Sequence, residues 1–139
     1  MPVRDIARPD TVTARPDDSV ATVAAKMRDE NVGSVVVVED GSPVGIVTDR
    51  DLAVRTLADG VGPDGHTTAD VMTGDPCCVD ADAGVFELTE AMREHSVRRI
   101  PVVDGDRLEG IVTLDDLNTL FADEQRNLSA VVRSESPPY

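Results

Sequence analysis

Two segments of the chain place a hydroxyl and a carboxylate at the same spacing. Both follow the pattern Gly-Ile-Val-Thr-x-x-Asp-Leu, which occurs at residues 45–52 and again at residues 110–117. If a strand ends and a helix begins at the threonine, its hydroxyl, the carboxylate and free backbone N–H groups lie together. A helix N-terminus suits phosphate, and a carboxylate can accept hydrogen bonds from two neighbouring ribose hydroxyls. The pattern therefore predicts a ribose phosphate site from two residue pairs, Thr48 with Asp51 and Thr113 with Asp116.

The same spacing is also typical of a helix capping box. In that arrangement the threonine is the N-cap residue, and the side chain three residues later bonds back to the N-cap backbone. Thr48 and Thr113 would then serve only to hold the start of a helix. The spacing alone leaves both interpretations open.

The two motifs lie within a longer internal repeat. Residues 5–52 align with residues 70–117 without a gap at an offset of 65, and 15 of the 48 aligned positions are identical. A fixed internal period indicates one supersecondary unit that is used twice. Each copy alone is near the size at which a hydrophobic core becomes marginal. We therefore expect the two copies to pack on each other with pseudo-twofold symmetry.

Each copy has the periodicity of a strand-helix-strand-strand-helix unit. In the first copy, apolar residues between Val20 and Met27 share one helical face. The apolar run Val35–Val38 suits a strand that is buried on both faces. Asp40-Gly41 and, in the second copy, Asp104-Gly105 are typical hairpin-turn dipeptides. The sequence therefore predicts an α/β (α+β) fold.

The repeat divides the chain into four segments. Residues 3–60 and 69–125 are the two repeats, and the turn-rich stretch at residues 61–68 is interpreted as a flexible linker. Residues 126–139 form a C-terminal extension that we expect to be partly disordered, since its last residues have no periodicity.

The charge of the chain limits its partners. There are 27 acidic and 13 basic residues, which give a net charge of −14. Such a field repels nucleic acid and anionic membranes, and no apolar run is long enough to span a bilayer. It also favours solubility in concentrated salt, where charge repulsion is screened. We expect a cytoplasmic protein of a salt-loving (halophilic) microbe; an ordinary acidic soluble protein is the alternative.

Two tandem units that each end in Gly-Ile-Val-Thr-x-x-Asp-Leu resemble the cystathionine-β-synthase (CBS) domain pair, or Bateman module. The second copy also has the residues that precede the middle strand in that family, within Val97–Asp104. The resemblance covers roughly residues 3–125. It implies a module that binds adenosine-containing ligands (AMP, ADP, ATP or S-adenosylmethionine) in two clefts between the copies, and that commonly assembles as a homodimer.

The resemblance also implies roles for single residues. Asp51 and Asp116 would hold ribose hydroxyls, and the two motif threonines would hold ribose or phosphate. Residues near Thr13 and Val79 would line the adenine pocket, and Ile46 and Ile111 would supply apolar walls. Ile100 and Pro101 in the middle strand of the second copy are further ligand-binding candidates. The first copy has Val36 where the second has Pro101, so occupation of a single cleft stays open.

The copies differ where phosphates would bind. The second copy has Arg98-Arg99 at the positions of Gly33-Ser34, and the first copy has Arg50 at the position of Asp115. Arginine forks bind phosphate well. These arginines are predicted to contact phosphate, although pairing with the acidic surface would also explain them.

Three functions are consistent with these features. A regulatory module would sense an adenine nucleotide and relay a conformational change to an unknown partner protein. A ligand-free scaffold would use the same motifs only as helix caps. An enzyme is disfavoured, because no nucleophile with a placed base, zinc quartet or phosphate-binding glycine loop is present. We therefore expect no catalysis, no metal and no resident cofactor, with an adenosine nucleotide as ligand.

Overall fold

The computed structural model describes residues 1–138, which form two small sheets flanked by helices. In each sheet a short parallel strand precedes an antiparallel hairpin. The first sheet has the order β1 (Thr13–Ala14), β2 (Ser34–Glu39), β3 (Ser42–Thr48) and β4 (Thr73–Gly74). The second has the order β5 (Val79–Asp80), β6 (Arg99–Asp104) and β7 (Arg107–Thr113). The predicted α/β (α+β) class and the twofold use of one unit are confirmed.

Typical cap residues mark the start of the first helix and the ends of the first and fourth helices. Ser19 is the N-cap residue of α1 and accepts a hydrogen bond from the backbone of Thr22. The first and fourth helices end at Asn31 and Ser96, both in the left-handed conformation that terminates helices. The helices are α1 (Val20–Glu30), α2 (Asp49–Leu52, followed by a π-helical turn at Ala53–Leu57), α3 (Thr68–Val71), α4 (Val85–His95) and α5 (Leu114–Glu135).

The second hairpin turn differs by one residue from its prediction. Asp40 and Gly41 form the first turn, with φ values of 53° and 82°. In the second hairpin, Asp104 still pairs with Arg107, so the turn residues are Gly105 and Asp106. The predicted Asp104-Gly105 turn is therefore wrong, because the left-handed position that glycine fills is the first turn residue here and the second in the other hairpin.

The first helical turn of each repeat packs into the hydrophobic core of the other repeat. Val3, in a 3-10 turn at Val3–Asp5, is fully buried in the second core beside Leu88 and Leu117. Val71 of α3 is fully buried in the first core. The turn at Val3–Asp5 is the counterpart of α3 under the 65-residue offset, so the exchange is reciprocal. Neither sequence repeat is a closed unit on its own.

The exchange explains the glycine that opens each motif. The backbone of Arg8 crosses β7, with hydrogen bonds from Arg8 N to Ile111 O (2.9 Å) and from Ile111 N to Arg8 O (3.1 Å). A Cβ atom on Gly110 would lie 2.6 Å from Arg8 O. In the first repeat, a Cβ atom on Gly45 would collide with the side chain of Met72 and lie 3.1 Å from Thr73 O, the counterpart of Arg8 O. The motif glycines therefore make room for the exchanged segment.

The predicted linker packs against α1. Its carbonyl groups accept hydrogen bonds from the first turn of that helix, from Val20 N to His66 O (3.3 Å) and from Ala21 N to Pro63 O (3.2 Å). These N–H groups have no partner within a helix. The stretch at residues 61–68, interpreted as flexible, thus caps α1.

The C-terminal helix crosses the boundary predicted at residue 126. Helix α5 continues to Glu135, so helix occupies most of the extension predicted to be partly disordered. Its last three turns expose apolar side chains, Leu128, Val131 and Val132. No helix within residues 1–138 has the length and apolar character needed to cross a membrane.

We predict that Gly110→Ala destabilises the protein by about 1–3 kcal/mol, as overpacking does. The added methyl group would collide with the carbonyl of Arg8, which is backbone and cannot turn away. Gly74→Ala is the control, because a Cβ there meets nothing within 4 Å. Urea unfolding of the two variants measures the difference, and equal free energies of unfolding would contradict the close approach.

Candidate functional site

Both motifs form capping boxes at strand-to-helix junctions. Asp51 Oδ2 accepts from Thr48 N (2.9 Å), and Asp51 N donates to Thr48 Oγ1 (3.2 Å). Thr113 and Asp116 repeat these two bonds at 2.9 and 3.2 Å. The capping interpretation is therefore confirmed at both sites. It uses only Oδ2 of each aspartate, so it does not exclude a ligand at Oδ1.

The Oδ1 atoms of the two aspartates have different surroundings. Asp116 Oδ1 accepts from Arg8 Nε (2.8 Å) and Arg8 Nη2 (2.6 Å). The nearest cationic atom to Asp51 Oδ1 is Arg55 Nε at 4.0 Å, and the Arg55 guanidinium bonds to the carbonyls of residues 71 and 72. The counterpart of Arg8 in the other half is Thr73. The two motifs therefore offer chemically different carboxylates.

Burial and hydrogen bonding act in opposite directions on the pKa of Asp116. Burial favours the neutral acid and would raise the pKa. The hydrogen bonds from Arg8 and from the backbone and hydroxyl of Thr113 favour the carboxylate and outweigh burial. The pKa of Asp116 is therefore lowered from its ordinary value, and the group is ionised at neutral pH.

A cleft of about 360 Å³ lies between the two repeats. It lies beside the second motif, and both repeats contribute to its walls. From the first repeat come residues 8, 10–12 and 31–34, and from the second repeat come residues 98–99, 111 and 113–115.

Four of the predicted site residues line this cleft: Arg98, Arg99, Ile111 and Thr113. Asp116 does not line the cleft itself, but its carboxylate bonds to Arg8, which does. The other predicted residues also lie outside the lining: Ile46, Thr48, Arg50, Asp51, Thr13, Val79, Ile100 and Pro101. Val79 and Ile100 are packed in the second core, and Pro101 is buried in β6. Thr13 lies on β1, where its carbonyl accepts a hydrogen bond from Lys26 Nζ (2.8 Å).

The offset of 65 residues relates this cleft to a second surface beside the first motif. The offset maps Ile111, Thr113 and Asp115 onto Ile46, Thr48 and Arg50. It also exchanges Gly33-Ser34 with Arg98-Arg99, so these four residues are common to both surfaces. The predicted residues of the first motif thus lie on the surface equivalent to the cleft.

The two arginines of the second repeat lie at the centre of this arrangement without an acidic partner. No carboxylate within residues 1–138 lies within 4 Å of the Arg98 or Arg99 guanidinium. Arg99 crosses to the first repeat, where a Cβ on Gly33 would lie 3.4 Å from Arg99 Nη2. Pairing with acidic side chains therefore does not account for them, and the cleft has cationic groups available to an anion.

Sequence reasoning missed Arg8, Asn31 and Gly33 as cleft residues. Asn31 and Gly33 flank the end of α1, and the identity of Gly33 was considered only as the counterpart of Arg98. Arg8 precedes β1 and reaches the second repeat only because the first turn is exchanged. The one available signal was the repeat itself. The offset of 65 relates the segment that contains Arg8, residues 6–9, to residues 71–74 of the other copy.

The two cysteines give no sign of a metal centre. Burial raises the pKa of the Cys78 thiol to about 11, so the thiol is protonated at neutral pH. Within residues 1–138, no three or more His, Cys, Asp or Glu side chains are grouped in a way that could hold a metal ion.

A family model for the CBS domain matches residues 3–56 and 69–123. The chain belongs to the CBS-domain family. Among relatives of this CBS pair is the uncharacterized protein MK0525 of Methanopyrus kandleri, which is 38% identical over 117 residues. The match covers 83% of this chain but 60% of that protein.

Solved structures of CBS proteins share the fold of this pair. Hypoxic response protein I, solved with two coordinated zinc ions and known in Mycobacterium tuberculosis, superposes with a TM-score of 0.78 at 32% identity. The match covers 86% of this chain and 98% of that chain. The CBS domain protein PAE2072 from Pyrobaculum aerophilum, complexed with AMP, superposes with a TM-score of 0.76 at 23% identity, over 84% of this chain and 90% of that chain.

We predict that Asp116→Asn lowers the free energy of unfolding at neutral pH. The difference from the unmodified protein should shrink as the solution is acidified. The folded-state pKa of Asp116 lies below its ordinary value of 3.8. Its stabilising effect is therefore complete above that value and is lost as the pH falls through the folded-state pKa. Urea unfolding of both proteins between about pH 3 and pH 7 measures this. A penalty that stays constant over this range would contradict the role assigned to the carboxylate.

Proposed function

We propose that this CBS pair is a regulatory module that binds an adenosine-containing nucleotide between its repeats. The observation that carries the proposal is the inter-repeat cleft, which combines Thr113, Ile111 and two arginines without acidic partners. The hydroxyl suits ribose or phosphate, the isoleucine suits an apolar base, and the arginines suit phosphate oxygens. AMP, ADP, ATP and S-adenosylmethionine are the candidate ligands.

The comparison with PAE2072 supports this ligand class at the level of the fold. That protein has the same architecture and was solved with AMP. On this proposal the pair acts on a partner protein and carries out no reaction of its own.

The position of the cleft supports the proposed relay to a partner. Residues 31–34 and residues 98–99 face each other across it, at the ends of α1 and α4. A ligand that contacts both sides favours the arrangement of the repeats that it fits best, and it shifts the population towards that arrangement. Helix α5 begins at Thr113 on the cleft wall and extends to an exposed apolar end. It therefore carries a change at the cleft to the outer surface.

The proposal predicts that an adenosine nucleotide raises the thermal unfolding midpoint in concentrated KCl. A ligand at 100 times its dissociation constant adds about 2.7 kcal/mol to the free energy of unfolding, which corresponds to roughly 5–15 °C for a chain of this length. AMP, ADP, ATP and S-adenosylmethionine are added one at a time. The combined Asp51→Ala and Asp116→Ala variant should lose the shift, because both ribose acceptors are gone.

The control is Asp106→Ala, which removes a carboxylate from an exposed hairpin turn. It should keep the full shift. The proposal is wrong if none of the four ligands moves the midpoint of the unmodified protein, or if GTP moves it as far as ATP does.

A homodimeric scaffold is the second candidate function, and exposed apolar side chains favour it. The apolar residues near the start of α5 divide between core and surface: Leu117 is 1% exposed and belongs to the second core, whereas Phe121 is 48% exposed. The exposed apolar residues of the outer helices are Val54, Leu57, Phe121, Leu128, Val131 and Val132. A second copy that covers these helices would remove this area from water.

The dimer proposal predicts that Phe121→Glu produces a monomer. Placing a charge on the covered face leaves it buried and unpaired in the dimer. Sedimentation velocity of the unmodified chain and the variant measures the mass. Phe86→Glu is the control. It changes the exposed phenylalanine of α4 and should leave the oligomeric state unchanged. An unmodified chain that sediments as a monomer would exclude the dimer.

A further inference from the structure

The carboxylate that would bind ribose in the second cleft has no free acceptor position. An ionised carboxylate offers about four lone-pair sites, two on each oxygen. Asp116 Oδ2 accepts from Thr113 N and Thr113 Oγ1, both at 2.9 Å. Asp116 Oδ1 accepts from Arg8 Nε and Nη2, at 2.8 and 2.6 Å. A ribose hydroxyl can therefore bond to Asp116 only after Arg8 has moved away.

The side chain of Arg8 can move while its backbone stays in place. The backbone is fixed to β7 by the two hydrogen bonds with Ile111. The side chain is 68% exposed, whereas that of Asp116 is 12% exposed. If Arg8 left without a substitute, a largely buried carboxylate would lose its charged partner, which is costly. A neutral ribose does not compensate for that loss, because its hydroxyls carry no charge.

A phosphate group does compensate, because it gives Arg8 a new anionic partner. Arg8 lines the cleft together with Arg98 and Arg99, so a phosphate bound by those two arginines lies within the same space. Once Arg8 has turned to the phosphate, Oδ1 of Asp116 is free for the ribose. Binding of the phosphate at Arg8 and binding of the ribose at Asp116 are then coupled.

The first repeat provides the internal contrast. Its counterpart of Arg8 is Thr73, which has no charge, and Arg55 Nε is 4.0 Å from Asp51 Oδ1. Arg55 is also held by the carbonyls of Val71 and Met72. Asp51 can therefore accept ribose hydroxyls without the removal of a cation. The coupling should be confined to the second cleft.

We propose that Arg8 determines the ligand specificity of the second cleft by admitting only adenosine compounds that carry phosphate. AMP, ADP and ATP meet this condition, whereas adenosine and S-adenosylmethionine do not. This inference rests on the proposed nucleotide binding and specifies the ligand class of one of its two sites.

The test is a calorimetric titration in an Asp51→Ala background, which silences the first motif. In this background ADP should bind, and the dissociation constant of adenosine should be roughly 10–100-fold higher than that of ADP. This factor corresponds to the free energy of one hydrogen bond to a charged group. Saturating pyrophosphate should strengthen adenosine binding, because it engages Arg8 and leaves Asp116 free. By linkage, adenosine should strengthen pyrophosphate binding by the same factor.

The decisive variant is Arg8→Gln in the same background. It should strengthen adenosine binding by roughly 10–100-fold, weaken ADP binding, and abolish the effect of pyrophosphate on adenosine. Arg8→Lys keeps the charge and should keep a weaker dependence on pyrophosphate. Arg4→Gln is the matched control, because it removes an arginine–aspartate pair of the same N-terminal segment (Arg4 Nη2 to Asp82 Oδ1, 2.7 Å) outside the cleft.

Two results would overturn the inference while leaving the proposed function standing. One is an adenosine affinity that Arg8→Gln leaves unchanged, and the other is an unmodified second cleft that binds adenosine as tightly as ADP. Failure of ADP, AMP and ATP to bind the unmodified chain would overturn both. The free energies of unfolding of the Arg8 variants and the unmodified protein, measured without ligand, show whether a change in adenosine affinity comes from a destabilised fold.

Discussion

The reciprocal exchange of the first turns is the constraint on which the arrangement of this CBS pair depends. Val3 completes the second core and Val71 completes the first, so each hydrophobic core is closed by a residue from the other repeat. A pair of small repeats joined only by a linker would be free to separate. The exchange ties them through buried side chains and through the strand-like contact of Arg8 with β7. It thereby holds together the two repeats that line the cleft.

The Thr-x-x-Asp motif caps a helix with one carboxylate oxygen, and the proposed ribose contact would use the other. Oδ2 and the threonine hydroxyl hold the first turn of the following helix, as the bonds at Asp51 and Asp116 show. Oδ1 takes no part in the cap. The choice between helix cap and ribose acceptor that the sequence left open is therefore not a choice between exclusive roles. At Asp116 the cap leaves Oδ1 bonded to Arg8, which lines the cleft.

Elements that depend on local periodicity could be predicted from the sequence. Contacts that depend on the exchange of segments between the repeats could not. Helix α1, its Asn31 end and the β2–β3 hairpin follow from residues close together in the chain. The contact of Arg8 with Asp116 joins residues 108 positions apart and has no local signature. Helix α5 is an intermediate case, since Leu128, Val131 and Val132 have helical spacing that could have extended the prediction past residue 126.

Divergence between the repeats gives two related sites different chemistry. In a chain with a net charge of −14, an anionic ligand is repelled by most of the surface and attracted only where arginines outnumber nearby acids. Three of the 13 basic residues, Arg8, Arg98 and Arg99, line one cleft, together with two acidic residues, Asp10 and Asp115. Gly33-Ser34 and Arg98-Arg99 are exchanged by the offset and belong to both surfaces, whereas Arg8 has the uncharged Thr73 as its counterpart. This one difference between otherwise similar repeats is the basis on which the second cleft would depend on phosphate and the first would not.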